Sequence, residues 1–254
     1  MNTDVPIAEL IAVMLGAVRA GAWLVICPPF NSRLIPAQIK ALLSVGIALP
    51  MAPFLRSGIP SIETSDIIFC AALQVFIGAG LGFITALFFA AIQAAGDLID
   101  VFGGFTLAMA FDPLSQNQSS IFGRFYNLTA VTLLFASDGH QLVLRGFMQS
   151  YEALPLNTTF SMETFSRLLT DGIGEMFLAA LQIAGPLIAV LFLTDVAFGL
   201  LNRVAPALNA FQLGFPAKIL LVLTLSGAAI AMLPRALDSL VDQAVSAVVQ
   251  LTGG

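Results

Sequence analysis

The stretch IIFCAALQVFIGAGLGFITALFFAAIQ, residues 67–93, contains no Asp, Glu, Lys or Arg. At 1.5 Å per residue a helix of this length measures about 40 Å, more than the roughly 30 Å hydrocarbon core of a bilayer. The run shows no strand-like alternation, and in lipid only a helix pairs all its backbone groups within one segment. Outward from it, five further stretches approach the same apolar length: residues 7–27, 37–54, 126–148, 174–201 and 212–233. The chain of 254 residues is 58% apolar and 10% charged, with mean hydropathy +0.96, which excludes an ordinary soluble domain. The expected fold is an all-α, multi-helix membrane protein with about six apolar segments.

Charge narrows the function classes. The net charge of −5 is spread thinly and forms no basic patch, so neither nucleic acid nor a polybasic lipid-binding role is expected. Lys and Arg after the first, third and fifth segments (Arg33, Lys40, Arg124, Arg203, Lys218) nearly balance those on the other side (Arg56, Arg145, Arg167, Arg235), so charge bias does not set the orientation. Asp4 and Glu9 stand where a cleavable signal peptide carries Lys or Arg, and the first segment is expected to stay attached. Cys27, Cys70 and His140 provide no metal-ligand spacing, and the two cysteines read as free, packed thiols. No phosphate cradle, zinc motif, paired catalytic carboxylates or nucleophile elbow appears, so an enzyme is the least supported class and no cofactor is expected.

The polar residues inside apolar segments carry the rest. Arg19 lies in the first segment beside the small residues Gly16 and Ala20, and must face protein or water rather than lipid. Gly78 and Gly82 make a GxxxG match that suits close helix approach. Asp97 and Asp100 share one helical face where the third apolar run ends. Asp138 and His140 flank Gly139 and read as a helix break or polar crossing, with a proton relay as the competing reading. Asp195 and Arg203 share a face but lie about 12 Å apart along a helix, too far to pair directly. Residues 149–171 read as the main extramembrane connection, and the stretch from Arg203 to Lys218, rich in Pro, Asn and Gly, as the tip of a helical hairpin with a binding surface.

Between the third and fourth segments stands GGFTLAMAFDPLSQNQSS, residues 103–120. Gly103 and Gly104 loosen the helix, Phe105, Leu107, Met109 and Phe111 alternate with Thr106, Ala108 and Ala110, and Asp112–Pro113 forces a turn before Gln116 and Asn117. Irregular backbone at membrane depth is tolerated only where protein buries it or a watery cavity meets it. Such a segment could plug a passage, re-enter the bilayer or pack on a partner.

These features together resemble the FliR family, the flagellar export-gate component whose injectisome counterpart is SctT. The resemblance rests on Arg19, Pro29, Arg33, Pro36 and Lys40; on Gln74, Gly78 and Leu81–Gly82–Phe83; on Ala95–Gly96, Gly103, Asp112–Pro113 and Gly139–His140. Above all it rests on Gly199–Leu200–Leu201–Asn202–Arg203–Val204–Ala205–Pro206 with Asn209, Phe211, Gly214–Phe215–Pro216 and Lys218. Asp138, Ala207 and Asp195 depart from the family pattern. The resemblance implies one copy of the chain assembling with several FliP-like and FliQ-like membrane proteins into a cone of helices, largely above the plane of the bacterial inner membrane, in the flagellar basal body. It implies a FliP-like part over residues 1–173 and a FliQ-like hairpin and tail over 174–254. Residues 103–119 would plug the conduit through Phe105, Thr106, Leu107, Met109, Phe111, Asp112, Pro113, Gln116 and Asn117. Subunit contacts would involve Arg19, Arg33, Pro36, Lys40, Gly78, Gly82, Arg203, Pro206, Asn209, Phe211, Gly214, Phe215, Pro216 and Lys218. An FlhB-type switch protein, an FlhA-type export protein and unfolded flagellar proteins in transit are the further partners implied. The competing readings are the homologous injectisome subunit and a six-helix proton-coupled transporter using Arg19, Asp195 and the Asp138/His140 pair.

Overall fold

A computed structural model describes residues 7–55, 63–106, 120–156, 162–206 and 210–251. The described residues form seven helices and no strand: α1 (Ile7–Ile26), α2 (Ala37–Leu55), α3 (Thr64–Gly103), α4 (Ile121–Ala136), α5 (Gly139–Ala153), α6 (Met162–Val204) and α7 (Ala210–Leu251). Four are long and apolar enough to cross a membrane: α1, α2, α3, and α6 over Phe165–Val204. A fifth arises if α7, bent by 54° between Gln212–Gly227 and Ala229–Ala247, counts as one broken span. The Ser226–Gly227 pair stands at that bend, and Pro234 lacks the amide that would close the next turn.

The expected segment over residues 126–148 is not one helix. It is interrupted after Ala136, where Asp138 adopts a left-handed conformation (φ 59°) and its carbonyl accepts the Gln141 amide at 2.9 Å to start α5. The 16 residues of α4 reach only about 24 Å, short of a bilayer core. The polar stretch over 149–171 also shrinks as a connection, because α5 continues to Ala153 and α6 begins at Met162. The division drawn after residue 173 falls within α6.

Two compact units result, each built from separated pieces of chain. The first comprises Met1–Phe88, Ser137–Gly172 and Val241–Gly254. In it α2 returns antiparallel along α1: a Cβ on Gly16 would touch Ala48, and one on Gly21 would touch Ser44. The first part of α3 lies parallel to α1 on its other side, with Gly78 against the Arg19 carbonyl and Gly82 against Trp23 and Ile26. The missing side chains at 78 and 82 are what permit this approach. Trp23, fully buried, stacks on Phe147 of α5 at 4.4 Å between ring centres.

The second unit comprises Phe89–Ala136 and Ile173–Leu240. Here the end of α3 and the start of α4 run antiparallel with their backbones in contact at Gly96 and Gly123. The second pair is α6 and α7, also antiparallel, with Gly214 against the Phe198 ring and an apolar cleft around Pro186, Leu187, Leu225 and Met232.

Candidate functional site

Arg19 is completely buried in the first unit. Its Nε donates to Gln74 Oε1 at 2.6 Å, Nη1 to the Ser150 carbonyl at 2.9 Å and Nη2 to the Leu154 carbonyl at 2.8 Å. The guanidinium lies 4.7 Å from the centre of the Tyr151 ring. Tyr151 in turn donates from its hydroxyl to the Gly16 carbonyl at 2.7 Å, and Gln74 donates to the Leu156 carbonyl at 3.2 Å. Ser150 and Leu154 lie at the C-terminal end of α5, where the helix dipole favours a cation; the Ser150 carbonyl also accepts the Leu154 amide at 3.0 Å. Burial pushes the Tyr151 phenol well above its usual range, although the adjacent guanidinium pulls the other way.

The second arrangement surrounds the two ends of the stretch 103–119, around Gly104 and Ser120. Asp100, near the end of α3, is completely buried. Its Oδ2 accepts from the Ser120 hydroxyl and, at 2.9 Å, from the Phe122 amide. The Ser120 hydroxyl oxygen accepts the Gly123 amide at 2.8 Å, an N-cap bond to the first turn of α4. Asp97 packs against Gly123, where any side chain would collide with its carboxylate. On the upstream side Gly104 takes a φ of 84°, a conformation for which glycine is suited, and the Phe105 ring meets Phe122 edge-on at 5.3 Å. Lys218 of α7 pairs with Asp195 of α6 and donates to the Phe102 carbonyl at 3.4 Å.

Of the residues expected to plug a conduit, Phe105 is partly buried and Thr106 exposed; Leu107, Met109, Phe111, Asp112, Pro113, Gln116 and Asn117 lie outside the described residues. Among those expected at subunit contacts, Arg19, Gly78 and Gly82 are engaged within the chain, because α1, α3 and α5 meet around them. Arg33 and Pro36 are exposed in the α1–α2 turn, and Lys40 is partly buried. Arg203 and Pro206 are exposed at the end of α6. Gly214 is buried against Phe198, Phe215 contacts Gly104, Pro216 is exposed and Lys218 is partly buried. Asn209 lies outside the described residues, as does the side chain of Phe211. Gln74 and Asp100 were noted in the sequence without their roles, and Ser120, Gly123 and Tyr151 were missed. A serine directly before the apolar run of α4 is an N-cap signal that points to Ser120.

The family described as "Bacterial export proteins, family 1" matches residues 10–244. The flagellar biosynthetic protein FliR of Bacillus subtilis is 32% identical over 215 residues, 82% of this chain and 82% of its own length. That of Pectobacterium carotovorum is 32% identical over 217 residues, 85% of this chain and 83% of its own. The secretion system apparatus protein SsaT of Salmonella typhimurium is 31% identical over 151 residues, 59% of this chain and 58% of its own.

Proposed function

Because this chain belongs to the FliR family of bacterial export proteins, we propose that it is a structural and gating subunit of the flagellar type III export gate and performs no catalytic step. The observation that carries this reading is the length of the match, which takes in residues 10–244 and so both compact units. The flagellar role is favoured over the injectisome because the FliR relatives cover 82% and 85% of the chain, against 59% for SsaT. The chain is a component of the bacterial inner membrane within a type III export complex. Its partners there are FliP-like and FliQ-like membrane proteins, with FlhB-type and FlhA-type proteins acting on the same gate.

In this reading residues 103–119 close the conduit. Phe105, Leu107, Met109 and Phe111 exclude water and ions by being apolar, and methionine adapts its shape to whatever lies opposite. The exposed residues Arg33, Pro36, Arg203 and Pro206 are available to neighbouring subunits. A proton-coupled transporter is less well supported: Arg19 has its donors on carbonyls and Gln74, and Asp195 is held by Lys218. Native mass spectrometry on the tagged chain, extracted gently from membranes of its own host, tests the assignment. The expected result is a discrete assembly with one copy of this chain and several copies of two other membrane proteins; a homogeneous monomer or homodimer overturns it.

A further inference from the structure

We propose that Asp100 is a positioning residue that clamps α3 to α4 at the two ends of the closing segment, so that the conduit opens with these two helices still locked together. The proposal rests on the reading of residues 103–119 as the closure. The first turn of an α-helix presents amide donors without partners and a positive dipole end. At the start of α4 these are met from outside by Asp100, which takes the Phe122 amide and the Ser120 hydroxyl on one oxygen. Its other oxygen has no partner among the described residues, although the side chain is completely buried. A carboxylate held this way costs folding free energy that an apolar side chain would not. An apolar side chain would however leave the Phe122 amide bare, and an acceptor at this position adds a hydrogen-bonded tie from α3 to α4.

The contact beneath the carboxylate is equally unforgiving. A Cβ on Gly96 would stand 2.5 Å from the Phe122 carbonyl oxygen and 2.6 Å from the Gly123 Cα. A Cβ on Gly123 would stand 2.5 Å from the Ser120 hydroxyl and collide with Asp97. Two helices touching at backbone level have no layer of side chains on which to slide, and such contacts hold or break rather than deform smoothly. Edge-on packing of Phe105 against Phe122 adds a third tie between the upstream and downstream ends. Parting α3 from α4 would break all three ties and expose a buried carboxylate together with the bare start of a helix.

The test uses the assembled gate. Gln93 and Asn127 meet across α3 and α4 at 3.4 Å, farther along the same contact. In the double variant Gln93→Cys/Asn127→Cys the two helices are bridged by a short, reducible, bifunctional thiol reagent; the natural cysteines, both free and buried, are controlled for by treating the unaltered gate. Export of flagellar protein is expected to stay within about twofold of the untreated rate. A loss of about tenfold or more, reversed by reductant, would show that opening parts the helices and would overturn the proposal. Ion leak per assembled gate gives the second reading. Asp100→Ala is expected to leak about tenfold more than the unaltered gate, and Asp100→Asn, which keeps an acceptor for Phe122 and Ser120, to seal nearly as well. Deletion of residues 106–119 sets the fully open value. If the deletion leaks and Asp100→Ala seals, the clamp is wrong and the closure stands; if the deletion itself seals, the closure reading falls and the clamp with it. Should Asp100→Ala fail to assemble, the cross-link alone decides.

Discussion

At the residue scale, Arg19 is a cation midway along an apolar helix, and no carboxylate meets it among the described residues. Two backbone carbonyls, one amide oxygen and the face of Tyr151 take the place of a counterion. Each acceptor left bare in a buried site costs about 1 to 3 kcal/mol. Arg19→Met, which keeps the bulk and removes every donor, is therefore expected to lower stability by roughly 3 kcal/mol or more, read from thermal unfolding of the purified assembly. Arg19→Lys is expected to recover only part of this, because an ammonium cannot reproduce the planar fork that reaches three acceptors. Tyr151 supplies a pH signature. Its phenol has a raised pKa in the folded chain, so its contribution is fully present below the unfolded value of about 10 and is lost as pH rises through the folded value. Tyr151→Phe is expected to cost about 1 kcal/mol near neutral pH and to remove this component of the alkaline loss. Arg19 itself was legible as a residue that must face protein or water. Its main partners were not, since they are backbone carbonyls 131 and 135 residues away, and a carbonyl has no residue type that a sequence can display.

At the element scale, glycines that look alike in sequence serve opposite purposes. Gly78 lies where a methyl group would strike the Arg19 carbonyl of α1, whereas Gly174 of α6 has open space around its missing side chain. Gly78→Ala is expected to force α1 and α3 apart and lower the melting temperature clearly. Gly174→Ala should raise stability by about 0.5 to 1 kcal/mol through helix propensity alone. Equal effects of the two changes would show that α1 and α3 do not approach at backbone distance. Close approach at Gly78 and Gly82 was legible from four-residue spacing, but not that α1 of the same chain would be the partner. The Ser137–Asp138 break was legible too, from a short polar insertion ahead of a glycine. Helix ends were less so: hydropathy follows side chains, while α3, α6 and α7 continue past their apolar runs, α7 even through Pro234. Six apolar stretches became four helices long enough to span and one bent pair because the stretch over 126–148 is broken at Ser137–Asp138.

At the scale of the whole molecule, burial divides the long helices into two kinds. In α3, 67% of the most apolar window is buried within the chain, against 22% in α6. One helix is core, and the other presents Phe177, Leu181, Phe192 and Leu193 to surroundings that the chain does not supply. The two helices are equally apolar, so composition alone could not separate a core helix from an uncovered one. Lipid and partner helices both satisfy such a surface, yet they differ in how it responds to assembly. Hydroxyl-radical footprinting of the solubilised chain and of the assembled gate, in the same detergent, distinguishes them. If α6 packs on neighbouring subunits, modification at Phe177, Leu181 and Phe192 is expected to fall about fivefold or more on assembly, while Ile77, Leu81 and Ile84 of α3 stay protected in both states. If α6 faces lipid, detergent covers it equally in both preparations and its pattern does not change. The first outcome makes the uncovered surface an intersubunit seam, which explains why a chain with so many buried polar bonds still leaves a helix as apolar as α6 bare.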